Sequence, residues 1–242
     1  MEIGFKTHKG MVRANNEDAC FIIPEKDIYI VADGVGGNKS GEVASRTCVY
    51  EITQYVNEHE LPRENDAAAI KEYFSDCIQK VNRIICEKAG YNPLGDGMAT
   101  TVVICYVRDD YAYICHVGDS RAYICRNGKL TQITEDHTYV NALIKAGVIS
   151  EEEALTHEDR HKITRALGAE EYVKADFKQV SILPGDILLL CTDGLFGEVS
   201  EEKITEIITQ QGVTMSSATS RLVEEANQSG GADNVTIVCL KV

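Results

Sequence analysis

Hydrophobic residues recur at helical spacing in two stretches of the first half of the chain. The first stretch begins after Ser40 and has apolar residues at positions 44, 48, 52, 55 and 56. The second runs from Asp66, a predicted N-cap, to Gly90, a predicted C-terminal stop, with an apolar stripe between positions 70 and 85. Because each helix has one apolar face, the pair must cover a hydrophobic surface formed elsewhere in the chain.

Shorter runs of β-branched and aromatic residues predict strands. The segment that ends at residues 21–23 predicts a first hairpin, with residues 28–32 as its partner strand. The next runs are separated by two predicted turns, Asp109-Asp110 and Asn127-Gly128, so these runs predict an antiparallel meander. The meander and the later predicted strands cover residues 100–107, 111–117, 122–125, 175–180, 186–191 and 234–242.

A second helix pair precedes the last predicted strand. Ser200 is the predicted N-cap of its first helix, two glutamates follow in the first turn where they favour the helix dipole, and Gly212 ends it. The other helix is predicted at residues 217–227. The regular spacing of the predicted strands is interrupted at residues 139–161. This segment is acidic and has a partly helical pattern, so it is predicted to be a surface insertion.

The order of elements is strands, helix pair, strands, helix pair and strand. It predicts an α+β fold, a four-layer α-β-β-α sandwich in which two mainly antiparallel sheets pack face to face with the helix pairs outside. The length of 242 residues is ample for a large core, and no stretch resembles a linker. We therefore expect a single domain over residues 1–242.

Composition and charge narrow the class of protein. The formal net charge of −14 disfavours nucleic-acid and anionic-membrane partners, which are bound through basic patches. The nine cysteines include no CxxC pair, so we expect reduced thiols in a core rather than a disulfide framework or a zinc site. The N-terminus has no signal-peptide pattern and no apolar run reaches about 18 residues. We expect a cytoplasmic protein.

Four apolar runs each abut an aspartate. Any one of these aspartates fits an ordinary turn, but strand ends can converge at one edge of a sandwich. Carboxylates within about 4 Å repel by roughly 4 kcal/mol per pair at an effective dielectric constant of about 20, so such a cluster needs bound protons or cations. Oxygen ligands without histidine or cysteine spacing select Mg²⁺ or Mn²⁺ over zinc, and Gly34 adds a backbone carbonyl. The four aspartates are Asp33, Asp119, Asp193 and Asp233.

The segment before the first of these strands adds further candidates. Glu17 and Asp18 contribute two more carboxylates, and Arg13 lies just before them. A lone arginine is usually part of a surface ion pair, but beside a metal cluster it becomes a candidate phosphate clamp, because its planar fork binds phosphate through two bonds. Arg121 is an alternative clamp, although a structural role in orienting Asp119 is favoured for it.

The motifs taken together resemble the metal-dependent type-2C (PPM family) protein serine/threonine phosphatases in their compact bacterial form. The resemblance covers essentially the whole chain, and the order of the motifs makes it specific. The matching motifs are VRANNEDAC, VADGVGGNKSGEVAS, GMATTVV, HVGDSRAY, LTQITEDHT, ITRALG, LLLCTDGLFGEVS and GADNVTIV.

The resemblance implies a centre of two ions, Mg²⁺ or Mn²⁺, and a third, weaker ion. Asp33 would bridge the two ions, the Gly34 carbonyl would bind one, and Asp193 with Asp233 would bind the other. Glu17 and Asp18 would act through metal-bound waters, and Asp119 would hold the third ion with help from Asp193. Arg13 would clamp the phosphate.

The same resemblance implies an activity and its partners. Two cations would activate a water that attacks phosphoserine or phosphothreonine in a protein substrate. The expected partners are phosphoproteins, including a serine/threonine kinase of the same cell, and we expect a monomer.

Several positions depart from the family's usual pattern. Val35 stands where some relatives carry a histidine that is a candidate acid, which leaves a metal-bound water as the expected proton donor. Asn38 replaces a usual histidine, and Ala99 a usual glycine. Residues 157–161 differ from the usual HPxRN at the end of an insertion that resembles the family's flap, so flap mobility and substrate preference are expected to differ. His137 is expected to be structural, with a place at the flap base as the alternative.

Three alternatives stand beside the phosphatase hypothesis. A catalytically silent binding module on the same fold would lack some of the metal aspartates, and all of them are present. A calcium-binding structural protein would carry the DxDxDG spacing, which is missing. A phosphatase for small phosphate esters remains open, because only the surface around the site would distinguish it.

Overall fold

Two antiparallel sheets form the centre of the fold in a computed structural model that describes residues 1–37, 40–62, 66–90 and 97–242. Every strand pairing within them is antiparallel. In spatial order, the first sheet contains β1 (Glu2–His8), β11 (Val235–Lys241), β10 (Ile187–Cys191), β7 (Arg121–Arg126) and β8 (Lys129–Gln132). The second contains β2 (Asp18–Ile23), β3 (Ile28–Val35), β5 (Val102–Arg108), β6 (Tyr111–Val117) and β9 (Asp176–Ser181), and the short β4 (Ala99–Thr100) pairs with β3.

Helices cover the outer face of each sheet. The helices α1 (Ser40–Glu58) and α2 (Ala67–Lys88) share a hydrophobic cluster with the second sheet. The helices α5 (Asp193–Phe196), α6 (Glu201–Thr209) and α7 (Met215–Gln228) share another with the first sheet. A third cluster fills the space between the two sheets. These layers confirm the predicted α-β-β-α sandwich.

The alternation of side chains along β3 shows how one strand serves two layers. Ile28 and Ile30 point into the cluster beneath the helices, whereas Tyr29 and Val31 point into the cluster between the sheets. All four are fully buried. The period-2 geometry of a strand produces this division, and it continues to Asp33, which lies on the same face as Tyr29 and Val31 at the edge of the sandwich.

The helix boundaries follow the capping residues read from the sequence. The Asp66 side chain accepts a hydrogen bond from the Ala68 N–H at the start of α2, and Gly90 has a left-handed φ of 69° just after its end. Ser200 caps α6 in the same way as Asp66 caps α2. The helix α6 itself ends at Thr209, three positions before the predicted stop at Gly212.

Two strand partners differ from the predicted arrangement. The predicted first hairpin is wrong for β1, which pairs with β11 along its whole length in the other sheet; β2 and β3 do pair as predicted. The predicted meander is wrong for its third strand, because β7 leaves β6 and joins β10 in the first sheet. An alternating pattern specifies which face of a strand is buried but not which strand lies beside it.

The segment predicted as an insertion joins β8 to β9. It contains α3 (Tyr139–Lys145) and α4 (Glu151–Thr156), the latter begun by a capping box between Ser150 and Glu153. A flap-like role for residues 139–161, and a single domain over residues 1–242, remain predictions. No helix among the described residues has both the length and the apolarity needed to cross a membrane.

Candidate active site

Aspartates from both sheets meet at one edge of the sandwich. Asp18 begins β2 and lies opposite Asp33 near the end of β3. On the other sheet, Asp193 follows β10 and Asp233 precedes β11, and these two strands are antiparallel neighbours. The end of one strand and the start of its antiparallel partner lie at the same edge. The Thr192 hydroxyl donates to Asp18 Oδ2 at 2.9 Å and so joins the two sheets there.

A network of threonine hydroxyls fixes Asp33 and connects it to the turn that carries Asp119. The Asp33 N–H donates to Thr101 Oγ1 at 3.0 Å, and the Asp33 carbonyl accepts from the Thr101 N–H at 2.8 Å and from Thr100 Oγ1 at 2.8 Å. Thr101 Oγ1 lies 2.7 Å from the hydroxyl of Ser120, the residue after Asp119. The backbone positions of both aspartates are therefore coupled through Thr101.

Two glycines allow Glu17, Gly34 and the start of α1 to lie against one another. A Cβ atom at Gly41 would lie 2.5 Å from Glu17 Oε2 and 2.7 Å from the Gly34 carbonyl oxygen. A Cβ atom at Gly34 would lie 2.0 Å from the Gly41 carbonyl oxygen. Any larger side chain would separate these groups. The predicted carbonyl ligand and the Glu17 carboxylate are thus neighbours at the site.

Asn234 holds the loop that carries Arg13 and Glu17. Its side-chain oxygen accepts from the Glu17 N–H at 2.7 Å, and its amide group donates to the carbonyls of Lys9 and Asn15 at 2.8 and 2.9 Å. Arg13 Nη2 then reaches Asp233 Oδ2 at 2.7 Å. Sequence reasoning missed Asn234; the available signal was its position directly after Asp233 in the GADNVTIV motif.

Burial and mutual repulsion make the carboxylates poor anions on their own. Burial raises the pKa of Asp18 to about 7 and the pKa of Asp119 to about 7. Burial, followed by the charges of Asp18 and Asp193, raises the pKa of Asp33 well above its ordinary value. Burial and then the charge of Asp233 raise the pKa of Asp193. The cluster therefore favours bound protons or bound cations.

The donor set fits a hard divalent cation. Asp18 Oδ1 and Asp193 Oδ1 are buried and have no hydrogen-bond partner. Unpartnered buried carboxylate oxygens are costly, and a cation removes that cost. The ligands available are carboxylates and a backbone carbonyl, which Mg²⁺ and Mn²⁺ prefer. A different group, His116, His137 and Asp176, has ligand atoms that all lie within 4.8 Å of one another, behind the Asp119 turn.

Arg121 hydrogen-bonds Asp136 rather than Asp119, the predicted partner, and acts on Asp119 through its charge, which partly offsets the rise that burial causes in the pKa of that carboxyl. Its Nε and Nη2 donate to the Asp136 carboxylate at 2.7 to 3.0 Å, its Nη1 donates to the Tyr123 hydroxyl at 2.9 Å, and its guanidinium lies 3.6 Å from the centre of the Phe196 ring. Among the hydrogen bonds of the described residues, none joins Arg121 to Asp119. This engagement also leaves Arg13 as the more available arginine at the site.

Two of the departures from the family pattern have defined places. Val35 is 43% exposed and pairs with Ala99 where β3 meets β4. Asn38 lies outside the described residues.

Comparison with known proteins places the chain in a family. A family model described as Protein phosphatase 2C matches residues 8–228. The chain is 36% identical to the serine/threonine phosphatase stp of Listeria monocytogenes over 244 residues, covering 100% of this chain and 96% of that protein.

Two solved structures extend the comparison to the fold. The S. agalactiae serine/threonine phosphatase is similar with a TM-score of 0.90 and 33% identity, covering 100% of this chain and 99% of that one. The catalytic domain of the serine/threonine protein phosphatase PstP in complex with 2 manganese ions is similar with a TM-score of 0.83 and 34% identity, covering 98% and 96% of the two chains.

The sandwich of two antiparallel sheets, the acidic cluster at its edge and these similarities define a metal-dependent protein phosphatase. The chain belongs to the protein phosphatase 2C family. It is a protein serine/threonine phosphatase that depends on a divalent metal and acts on phosphoproteins.

Proposed function

We propose that the chain hydrolyses phosphoserine and phosphothreonine in proteins at the acidic edge, with two Mg²⁺ or Mn²⁺ ions held by Asp33, Asp193 and Asp233. The observation that carries this proposal is the pair of buried, unpartnered carboxylate oxygens on Asp18 and Asp193, one from each sheet. A similar structure contains 2 manganese ions, which supports the number of ions proposed.

Each ligand has a proposed place. Asp33 lies opposite Asp18 and interacts electrostatically with Asp193 and Asp233 of the other sheet, so it is the proposed bridge. The Gly34 carbonyl would bind one ion, and Asp193 with Asp233 would bind the other. Glu17 and Asp18 are proposed to act through water. The contacts of Glu17 with the Gly34 and Gly41 region support its place. Asp119, linked to Asp33 through Thr101 and Ser120, is the proposed ligand of a third, weaker ion.

The chain's own residues bind and orient the phosphoryl group. Bound divalent ions neutralise charge on the phosphoryl oxygens and lower the pKa of water to a range useful near neutral pH. Arg13, anchored by the loop that Asn234 fixes, is the proposed second source of positive charge, and its planar fork fits two phosphoryl oxygens. Val35 has no titratable group, so it supplies no proton to the leaving alkoxide.

A cysteine nucleophile is not supported. A cysteine-dependent phosphatase needs a thiolate, which requires a lowered pKa. Burial raises the pKa of all nine thiols here, and the least buried, Cys20, is raised to about 11. The nine free thiols also support the proposed cytoplasmic location.

The proposed partners follow from the substrate class. We propose that substrates include a serine/threonine kinase of the same cell and its targets, and that the chain works as a monomer. The net charge of −14 supports the absence of nucleic-acid and anionic-membrane partners.

The test is hydrolysis of a phosphothreonine peptide by the purified protein with EDTA, with Mg²⁺ and with Mn²⁺. We expect turnover only with the divalent ions, and a phosphoserine peptide is expected to be a substrate under the same conditions. A small aryl phosphate serves as a comparison substrate. A folded protein that binds Mn²⁺ but hydrolyses neither peptide would overturn the proposal and favour a silent binding module. Preference for the aryl phosphate over both peptides would favour the small-ester alternative.

A further inference from the structure

A compact polar cluster lies behind the Asp119 turn, outside the proposed metal ligands. His116 on β6 and Asp176 on β9 are register partners, and the His137 ring stacks on the His116 ring with 4.7 Å between the ring centres. Arg165 Nη1 donates to Asp176 Oδ1 at 2.8 Å. His116 and His137 are both buried.

The contacts of His137 argue against its ring as a ligand of a further metal ion. The Gly118 N–H donates to His137 Nδ1 at 3.0 Å, and Arg165 Nη1 lies 2.9 Å from His137 Nε2. Both ring nitrogens therefore already face N–H groups of the chain. A metal ion on Nδ1 would have to displace the Gly118 N–H, and one on Nε2 would have to displace the Arg165 guanidinium, a cation with no acceptor atom.

The bonds of His137 instead clamp the turn that carries Asp119. The backbone N–H of Gly118 donates to the His137 ring, and the backbone N–H of His137 donates to the Gly118 carbonyl at 3.1 Å. The two bonds are reciprocal and hold both polar groups of one glycine. On its other side the turn lies against Thr101, because a Cβ atom at Gly118 would lie 2.5 Å from Thr101 Cγ2.

The geometry of Gly118 makes such a clamp necessary. Its φ of +103° places the turn in a region that few residues adopt, at the point where the chain leaves β6 in one sheet for β7 in the other. The direction in which Asp119 leaves the turn therefore depends on what fixes Gly118. Thr101 fixes Ser120, the residue after Asp119, and His137 fixes Gly118, the residue before it.

His137 also lies at the base of the segment that contains α3 and α4. Its carbonyl accepts from the Thr164 N–H at 2.8 Å, and Thr138 forms an isolated bridge with Ile163. Both ends of residues 139–161 are therefore tied to His137 or its neighbour. This agrees with both expectations for His137, a structural residue and a residue at the base of the predicted flap.

We propose that His137 is a positioning residue that holds Asp119 in place through Gly118 and thereby sets the affinity of the metal centre for its third and weakest ion. The inference rests on the proposed function, in which Asp119 is the ligand of that ion. His137 itself contacts neither ion nor substrate; it acts through the turn.

The test uses a pair of amide substitutions with matched polarity. His137→Asn places an oxygen at the position of Nδ1 and keeps an acceptor for the Gly118 N–H, whereas His137→Gln places it one atom further out and loses the bond. His137→Phe keeps the stacked ring without any acceptor. Asp119→Asn is the reference variant, because it removes the proposed ligand directly. Thermal unfolding of each variant checks that it is folded.

The main readout is calorimetric titration of Mn²⁺ into each protein. We expect the wild type and His137→Asn to bind the weakest ion alike, and His137→Gln and His137→Phe to bind it about tenfold more weakly, as loss of one hydrogen bond of this kind implies. The tighter ions are expected to bind all of these proteins equally. The Mn²⁺ concentration that gives half-maximal phosphatase activity is expected to shift with the weakest site.

Three other outcomes would contradict the role of His137, the role of Asp119 or both. Equal weak-site affinity in His137→Gln and the wild type, with loss in Asp119→Asn, overturns the role of His137 but leaves the third-ion proposal standing. Unchanged Mn²⁺ binding in Asp119→Asn removes the third ion from Asp119, and the inference fails with it. Equal weakening of every ion in the His137 variants would indicate a general loss of structure and would contradict a positioning role. If His137→Phe does not fold, the Asn and Gln variants decide.

Discussion

Arg13 and Asp233 form an ion pair across 220 positions of sequence, with Nη2 of the arginine 2.7 Å from Oδ2 of the aspartate. The Arg13 side chain is 56% exposed, and Asp233 is 35% exposed. The proposed phosphate clamp is thus held at the rim of the acidic cluster by a proposed metal ligand. Because the pair is exposed, its own energy is small, and Arg13 can exchange this carboxylate for a phosphate at little cost.

Replacement of Arg13 tests that exchange. Arg13→Ala is expected to raise KM for a phosphothreonine peptide by about tenfold or more, the loss that one charge-assisted contact implies, with a smaller effect on kcat. Arg13→Lys keeps the charge but not the planar fork, and is expected to fall between the alanine variant and the wild type. Steady-state kinetics at saturating Mn²⁺ measures both constants. An unchanged KM in Arg13→Ala would remove Arg13 from the site.

Asp193 is the residue whose loss should separate hydrolysis from folding. Asp193→Asn keeps the shape of the side chain and removes its charge from the cluster. We expect turnover of the phosphopeptide to fall at least about a thousandfold, equivalent to about 4 kcal/mol of transition-state stabilisation. Circular dichroism should match that of the wild type, since the buried Oδ1 has no hydrogen-bond partner to lose. Turnover at the wild-type rate would contradict a role for Asp193 as a ligand.

The sequence predicts those parts of this protein that depend on local pattern. The faces of β3, the Asp66 and Ser200 caps and the aspartates at strand ends all follow from spacing and residue type. The sheet membership of β1 and β7 does not, because each strand's partner lies far away in sequence. The role of Asn234 in supporting the site could not be predicted for a similar reason. Asn234 bonds to backbone groups more than 200 positions away; its place after Asp233 marks it as a residue of the site, but no local pattern specifies which groups it bonds.

Asn234 should therefore matter for stability as well as activity. Asn234→Ala leaves the Glu17 N–H and the carbonyls of Lys9 and Asn15 without their partners, which is expected to lower the free energy of unfolding by about 2–4 kcal/mol. The loop that carries Arg13 should also loosen, so KM should rise. Urea unfolding measures the first effect. Asn57→Ala, at an exposed position of α1, is the matched control and should change neither quantity. Equal stability of the two variants would show that the loop is held by other contacts.

The raised pKa values of Asp18 and Asp119 predict how stability depends on pH when chelator is present. Both groups have a pKa of about 7 in the folded chain against an ordinary value near 3.8, and burial is the main cause. Near neutral pH the folded chain therefore binds more protons than the unfolded chain. The stability that these protons contribute is complete below pH 4 and is lost as the pH rises through 7. Burial lowers the pKa of His137 to about 4 and has the opposite effect; that effect is half complete at pH 6.5 and nearly complete at about pH 7.5, so one histidine offsets only part of the loss from two carboxyl groups.

In EDTA, the free energy of unfolding should consequently fall between pH 6.5 and pH 7.5. Asp119→Asn removes one of the two carboxyl groups whose pKa is about 7, so its stability should fall less steeply over the same interval. Saturating Mn²⁺ should reverse the trend, because bound cations replace the protons and ligands bind metal in their deprotonated form. Urea unfolding at the two pH values, with EDTA and with Mn²⁺, measures all of these slopes. A stability that rises with pH in EDTA would mean that the cluster is already charged in the folded chain, and that Arg13 and solvent suffice to offset its repulsion.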